Sequence, residues 1–418
     1  MPDRPHQRTF VIFSQVYVPD PASVGQHLHD VAAEMARRGW RVIVHVSGRG
    51  YDDPTTKYPR RETRDGVEIR RIPLASFGKK TIARRVAGTA SFMGQVFLRG
   101  LLSKRPDVLL VSTSPPMIGF VGRLVTWLRG WGGGGKRIPL VYWAMDLNPD
   151  QLIAMGKLKE TDRAARFLEK NNKKILDRSD LVVALDRFMA DRLRPRTTGL
   201  DDRLLVIPPW PHEDHVEPVP HAHNTFRDEH GLQGKFVVMY SGNHSPANPL
   251  DTLLDAAKRL KDDDRFVFAF IGGGVQKKEV EAFVKENGLS NALCLPYQPI
   301  ESLRFSLSAA DVHVVSLGGD MVGIIHPCKV YGSMAVARPV LFFGPKPSHV
   351  SDLLDAHGIG RHVDHGDVDG AVAAIEELAA LPAEERDTMG RKARAVLTES
   401  LSQQKLCGLM CDQIEALV

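Results

Sequence analysis

Short runs of apolar residues alternate along the chain with longer stretches in which apolar positions recur every three or four residues. In the first half, the runs at residues 9–14, 40–46, 68–74, 107–112, 138–144, 181–185 and 204–207 predict strands. Residues 236–240, 266–271, 294–297, 311–316 and 340–343 do the same in the second half. Helical spacing fills 24–38, 117–129, 161–176, 249–260, 300–309, 329–337, 370–378, 383–398 and 401–417. Strands alternating with helices in this way specify β-α-β units, and therefore an α/β fold built on parallel sheets. Gly39 closes the first helix, and Asp65-Gly66 marks a tight turn.

The pattern runs twice. A chain of 418 residues is too long for one ordinary core and suits two doubly wound domains. Residues 211–223 are rich in proline and histidine, the composition of a linker, which places an N-terminal domain at 1–210, a linker at 211–234 and a C-terminal domain at 235–400. With 43% hydrophobic and 25% charged residues the composition is that of a globular protein. A net charge of +5 suits an anionic partner, but with aromatics at 7% it does not argue for nucleic acid. Cys294, Cys328, Cys407 and Cys411 lack zinc-ligand spacing and read as reduced thiols, with Cys407 and Cys411 packed one helical turn apart. No strict spacing makes metal ligands of His212, His215, His221 and His223. The N-terminus has no apolar leader, and no apolar run is long enough to span a bilayer.

Candidate chemistry concentrates at residues 322–344. An apolar lead-in ends at His326-Pro327-Cys328, a helix begins at Lys329, and a strand follows Pro339. A helix N-terminus with a lysine in its first turn can hold phosphate, through backbone N–H groups and a point charge. An ordinary loop-helix-strand unit with a solvated lysine fits the same spacing. Elsewhere, Gly25 at a helix start suits either close approach of a phosphate or close strand–helix packing. Ser241-Gly242-Asn243-His244 and Gly272-Gly273-Gly274 follow strands, where α/β sheets bind ligands. Asp146 opens the turn Asp146-Leu147-Asn148-Pro149-Asp150, as a functional carboxylate or as a helix cap. Residues 130–136 read G-x-x-x-x-G-K, but Arg137 stands where a phosphate loop needs Ser or Thr, so this is a surface connection.

Between Ile69 and Pro106 there is no acidic residue, while Arg70, Arg71, Lys79, Lys80, Arg84, Arg85, Arg99, Lys104 and Arg105 are basic. Ile82, Val86, Met93, Phe97 and Leu101 recur within it at helical spacing. A membrane-surface helix and a packed helix with a solvated basic face both fit.

His326-Pro327-Cys328-Lys329-Val330-Tyr331-Gly332 with Ala337-Arg338-Pro339-Val340 resembles the donor motif of family-4 glycosyltransferases of the GT-B fold, in the branch with a proline-serine-lysine pattern. Tyr240-Ser241-Gly242-Asn243 before a Leu-Asp-Thr-Leu-Leu helix resembles the same branch, as does the Asp146–Asp150 turn. The better-known form of the motif carries two glutamates, whose places here are held by Ile324 and Gly332. The cation that many relatives place after the first glycine is His244.

The resemblance implies two Rossmann-like domains facing a central cleft, with the last helix, 401–418, packed back on the first domain. It implies transfer of a sugar, with retention and without a metal or other cofactor, from a nucleotide-sugar such as a UDP-sugar to a glycan or lipid-linked acceptor. Lys329 and Asp146 would be catalytic. Gly25, Gly242, Asn243, His244, Gly272, Gly273, Gly274, His326, Pro327, Cys328, Val330 and Tyr331 would bind the donor. The expected setting is cytoplasmic, with peripheral contact to an anionic membrane, in cell-surface polysaccharide synthesis. Two rivals share the scaffold: a nucleotide-sugar epimerase and an inactive sugar-nucleotide-binding protein.

Overall fold

The computed structural model describes residues 7–20, 22–50, 55–73, 82–131, 137–212 and 216–418. The first sheet holds β1 (Thr9–Phe13), β2 (Arg41–Ser47), β3 (Arg61–Arg64), β4 (Val67–Ile72), β5 (Val108–Val111), β6 (Leu140–Trp143), β7 (Leu181–Ala184) and β8 (Leu204–Val206). Their order is β3-β4-β2-β1-β5-β6-β7-β8, and every pair is parallel except β3 with β4. From β1 the chain winds outward through β2 and β4, then crosses to the other side of β1 for β5 to β8. Residues of β1, β5, β6 and β7 are all buried, because helices cover both faces of a doubly wound sheet.

The second sheet holds β9 (Phe236–Ser241), β10 (Phe266–Ile271), β11 (Ala292–Leu295), β12 (Val312–Ser316), β13 (Val340–Phe343) and β14 (Gly360–Val363), in the order β11-β10-β9-β12-β13-β14. All of its pairs are parallel. Here the winding changes direction between β9 and β12. One side of the sheet packs Val238, Tyr240, Phe268 and Phe270 against Leu253 and Ala257 of the helix Asp251–Arg259 and Ile375 of the helix Val368–Ala380.

Contacts divide the chain into Met1–Pro209 with Gln404–Val418, and Trp210–Gln403. The final helix, Gln403–Glu415, thus belongs to the first unit. Arg38 donates to Asp412 (2.6 Å) and Glu415 (2.7 Å), and the Trp40 indole donates to Glu415 (2.8 Å). Cys407 and Cys411 are buried on this helix.

Three segments differ from their sequence-based expectation. Residues 216–234, expected as a linker, pack into the second unit: Asn224 caps the helix Thr225–Glu229, and Phe226 and Leu232 join Val237 and Met239 in a core cluster. Arg227 is buried there because its guanidinium donates to the carbonyls of Ala309, Leu232 and Lys235. β3 has no apolar pattern to predict it, since this exposed edge strand reads Arg-Glu-Thr-Arg. Asp65 and Gly66, both with positive φ, make the two-residue turn that joins it to β4.

The basic helix spans Ile82–Leu102, and among its described side chains the buried positions are Gly88, Phe92, Val96 and Gly100 rather than Val86, Met93, Phe97 and Leu101 of the expected stripe. A Cβ at Gly100 would meet Val125 at 2.9 Å and Phe13 at 3.0 Å, so glycine sets a close approach to the helix Ile118–Trp131. Val86, Leu98 and Leu102 are left exposed. Lys79, Lys80, His215 and residues 132–136 lie outside the described residues.

Candidate active site

In an open α/β sheet the place where the winding reverses leaves a crevice at the carboxyl ends of two neighbouring strands. In the second unit that place is β9/β12. The loop after β9 carries Gly242, Asn243 and His244, the loop after β10 carries Gly272 to Gly274, and the loop after β12 leads through His326-Pro327-Cys328 into the helix Lys329–Ala335. The fold therefore gathers residues that lie far apart in sequence.

The glycines are sterically required. Gly242 has φ +142°, and a Cβ there would lie 2.6 Å from Lys329 Cε; Gly272 has φ +127°, and a Cβ would lie 2.0 Å from the Gly242 carbonyl oxygen. A Cβ on Gly274 would come within 2.3 Å of both Asn243 Oδ1 and the His244 carbonyl, while Gly273 lies against the ring of the exposed Tyr297. The two loops are laced by the Gly242 N–H to Ile271 (2.9 Å) and the His244 N–H to Gly273 (2.7 Å).

His244 is fully buried, with Nδ1 at 3.1 Å from the Gly242 carbonyl and 3.2 Å from that of Gly273. Carbonyls only accept, so Nδ1 carries the proton and donates. Burial, and then the charge of Lys277, hold the imidazole below its ordinary value and thus neutral. The residue that takes the place of the relatives' cation is therefore a neutral brace between two loops.

Lys329 supplies the charge. Its Nζ lies 3.4 Å from Asn248 Oδ1 and 5.4 Å from the centre of the Tyr240 ring, and no carboxylate among the described residues pairs with it. Burial draws its ammonium down to about 8. The helix it opens ends at Ala335, shorter than the spacing predicts, and Cys328 at its N-cap makes no side-chain capping bond. The ammonium rather than a long helix dipole is the main anion-attracting feature here. Pro327 and Val330 are buried beneath the loop, Cys328 is exposed, and the buried Tyr331 hydroxyl lies 2.7 Å from His326 Nε2 and 3.3 Å from His349 Nε2. Ile324 is 2% exposed, and a Cβ on Gly332 would find nothing nearer than Leu307 at 3.8 Å.

In the first unit, Asp146 follows β6 and its backbone N–H donates to Thr113 Oγ1 at 3.2 Å, from the loop after β5. The next helix, Asp150–Ala154, has Pro149 at its N-cap, so Asp146 is not a cap. Asp150 is ion-paired with Arg196 at 2.5 Å. Burial raises the Asp146 carboxyl to about 6. Gly25 is packed against Tyr17, whose Cα would lie 2.9 Å from an added Cβ.

Residues 23–210 match the family model described as "Glycosyl transferase 4-like domain", and residues 223–396 match "Glycosyl transferases group 1". The chain belongs to the group 1 glycosyltransferases. It is 28% identical over 302 residues to the "Probable glycosyltransferase WbjE" of Pseudomonas aeruginosa, covering 72% of each chain. It is 22% identical over 392 residues to the "Putative colanic acid biosynthesis glycosyl transferase WcaI" of Escherichia coli (strain K12), covering 89% of this chain and 92% of that one. The crystal structure of Anabaena Alr3699/HepE in complex with UDP-glucose superposes with a TM-score of 0.70 at 14% identity, over 98% of this chain and 99% of that one. Two parallel-sheet units of this kind are the GT-B fold.

The glycosyltransferase carries further candidate site residues that its sequence does not announce. Asn248 and Tyr240 meet Lys329 only through the fold. Lys277 looks like a surface helix residue, yet its Nζ donates to the Phe270 (2.5 Å) and Leu295 (3.1 Å) carbonyls under the glycine loop. His349 joins His326 and Tyr331 from a separate helix, His349–His357.

Proposed function

We propose that the enzyme transfers a sugar from a nucleotide-sugar, with UDP-sugars the first candidates, to a glycan or lipid-linked acceptor in polysaccharide synthesis. The observation that carries this reading is the ammonium of Lys329 at the β9/β12 crossover, without a carboxylate partner among the described residues and facing a loop where only glycine fits. A donor diphosphate laid along Gly242 and Gly272 would meet backbone and one positive charge. As the bond from C1 to the diphosphate oxygen breaks, charge grows on the leaving group, and a preorganised cation there stabilises the transition state. Lys329 supplies that cation in a metal-independent reaction. The acceptor oxygen bonds to C1 with retention, and its proton passes to the departing diphosphate. Asp146, ionised above about pH 6, orients the acceptor hydroxyl. Tyr297 beside Gly273 offers a ring against which a flat base can stack.

WcaI is named for colanic acid biosynthesis and HepE is seen with UDP-glucose, which favours a UDP-sugar and a polysaccharide acceptor here. No helix among the described residues is long and apolar enough to cross a membrane. The exposed Val86, Leu98 and Leu102 on an acid-free basic helix suit peripheral contact with the inner face of an anionic membrane. Flotation with anionic and neutral vesicles at low and high salt tests this, and equal binding to both sinks it.

A panel of nucleotide-sugars assayed for nucleotide release tests the function. Release with the sugar transferred or hydrolysed supports the transferase. An isomerised intact donor would make the protein an epimerase, and binding without turnover a scaffold.

A further inference from the structure

The first sheet ends at β4 and β3, and between that edge and the second half of the helix Ile82–Leu102 lies a cavity of about 420 Å³. Five of its ten lining residues are arginines: Arg60 just before β3, Arg61 of β3, Arg70 and Arg71 of β4, and Arg99 of the helix share it with His45 of β2. The strand register concentrates them, since Arg70 pairs with Arg61 on one side and with His45 on the other. Like charges directly opposite each other on a ladder repel, so this arrangement costs stability in the empty protein. Glu68 takes up Arg70 at 2.7 Å. Among the described residues no carboxylate pairs with Arg60, Arg61 or Arg99. Burial and then the charges of Arg61, Arg70 and Arg60 draw Arg99 below its ordinary value.

His45 is 2% exposed, and among the described residues neither of its ring nitrogens has a hydrogen-bond partner. A buried imidazole without a partner is costly. Its ring packs edge-on to Phe13, and burial with the charges of Arg70 and Arg99 holds it neutral, at about 3. Uncompensated guanidinium groups and an orphaned imidazole thus face one space, and a bound anion would relieve them together. Planar guanidinium groups match phosphate oxygens in pairs. Leu98 and Leu102, 57% and 85% exposed, also line the cavity, so the remainder of the ligand meets apolar surface.

We propose that this cavity is a second anion site, binding the phosphate or diphosphate group of an ester whose other part is apolar. It is built from the first unit alone and does not depend on the donor reading. The shared chemistry has two sources, a lipid headgroup and a soluble phosphate ester.

The test uses the full chain carrying Lys329→Ala, so that the glycine loops do not compete for the probe. Titration calorimetry with inorganic pyrophosphate should show one saturable site. Arg61→Gln and Arg99→Gln, each checked for an unchanged melting temperature, should weaken it about tenfold, the effect of losing one charge-assisted contact. In protein labelled at histidine, pyrophosphate should shift the His45 ring resonances. Phosphatidylcholine vesicles containing phosphatidic acid form the second arm. Binding to them that pyrophosphate displaces and both variants weaken assigns the site to a lipid headgroup. Pyrophosphate binding without vesicle binding assigns it to a soluble ester. Absence of saturable binding by either probe overturns the proposal. So does binding that both arginine variants leave unchanged, or His45 resonances that do not move.

Discussion

Lys329 and Asp146 are drawn by burial in opposite senses, and both effects are open to titration. Lys329→Ala should lower turnover roughly 100-fold or more, the usual loss for one preorganised electrostatic group. Turnover near the wild-type value at saturating donor would remove Lys329 from the mechanism. Because its ammonium sits at about 8, kcat/KM should fall above that pH, and because Asp146 sits at about 6, kcat/KM should rise through that value. Asp146→Asn should abolish the rising limb and cost roughly 100-fold in rate. The stability effect has the opposite direction. A carboxyl whose folded value lies above its unfolded one contributes stability that is full at acid pH and is lost as pH rises through 6. Asp146→Asn should therefore melt higher than wild type at pH 8 and lower in activity, whereas a purely structural aspartate would lose stability. The motif around Lys329 was legible because a phosphate site needs a fixed spacing of loop, cation and helix. Asn248, Lys277 and His349 were not, because their parts in the site depend on which loops the sheet order brings together.

The strands most readily seen in the sequence are those buried on both faces, such as Phe236–Ser241 and Val312–Ser316, since a parallel strand between two helical layers must be apolar throughout. Arg61–Arg64 and Gly360–Val363 escape that signal at the two sheet margins, where polar residues face water. The α/β class follows from the first kind alone. The helix Lys329–Ala335 shows how local chemistry sets a boundary: it stops early because Ala337 takes φ +53°, a conformation that favours glycine. An alanine held there costs about 1–2 kcal/mol, partly offset by the greater freedom of glycine in the unfolded chain. Ala337→Gly should thus stabilise the protein by about 0.5–1 kcal/mol in urea unfolding, and a loss would show that the Cβ makes contacts that matter more. Gly332→Ala, inside the same helix with open space around it, should also stabilise by about 0.5–1 kcal/mol. Gly272→Ala should do the reverse, costing about 2–4 kcal/mol and donor binding together, because its Cβ has no room beside Gly242.

At the scale of the whole chain, the first unit is made of two separated pieces of sequence, and the second of one. The helix Gln403–Glu415 is tied to the first helix and its exit by Arg38, Trp40 and a buried row that includes Met410 and Ile414. Arg38→Ala removes the guanidinium from Asp412 and leaves Glu415 only the Trp40 indole, and with both carboxylates partly exposed it should cost about 1 kcal/mol, read as a lower melting temperature of the first unit. No loss would mean that the apolar row alone holds the helix. A chain is synthesised in one direction, so the segment that completes the first unit is made only after every residue of the second. On the ribosome, then, the half that emerges first keeps a helix-docking surface uncovered until translation reaches the final helix, and it cannot be completed before every residue of the second unit has been made.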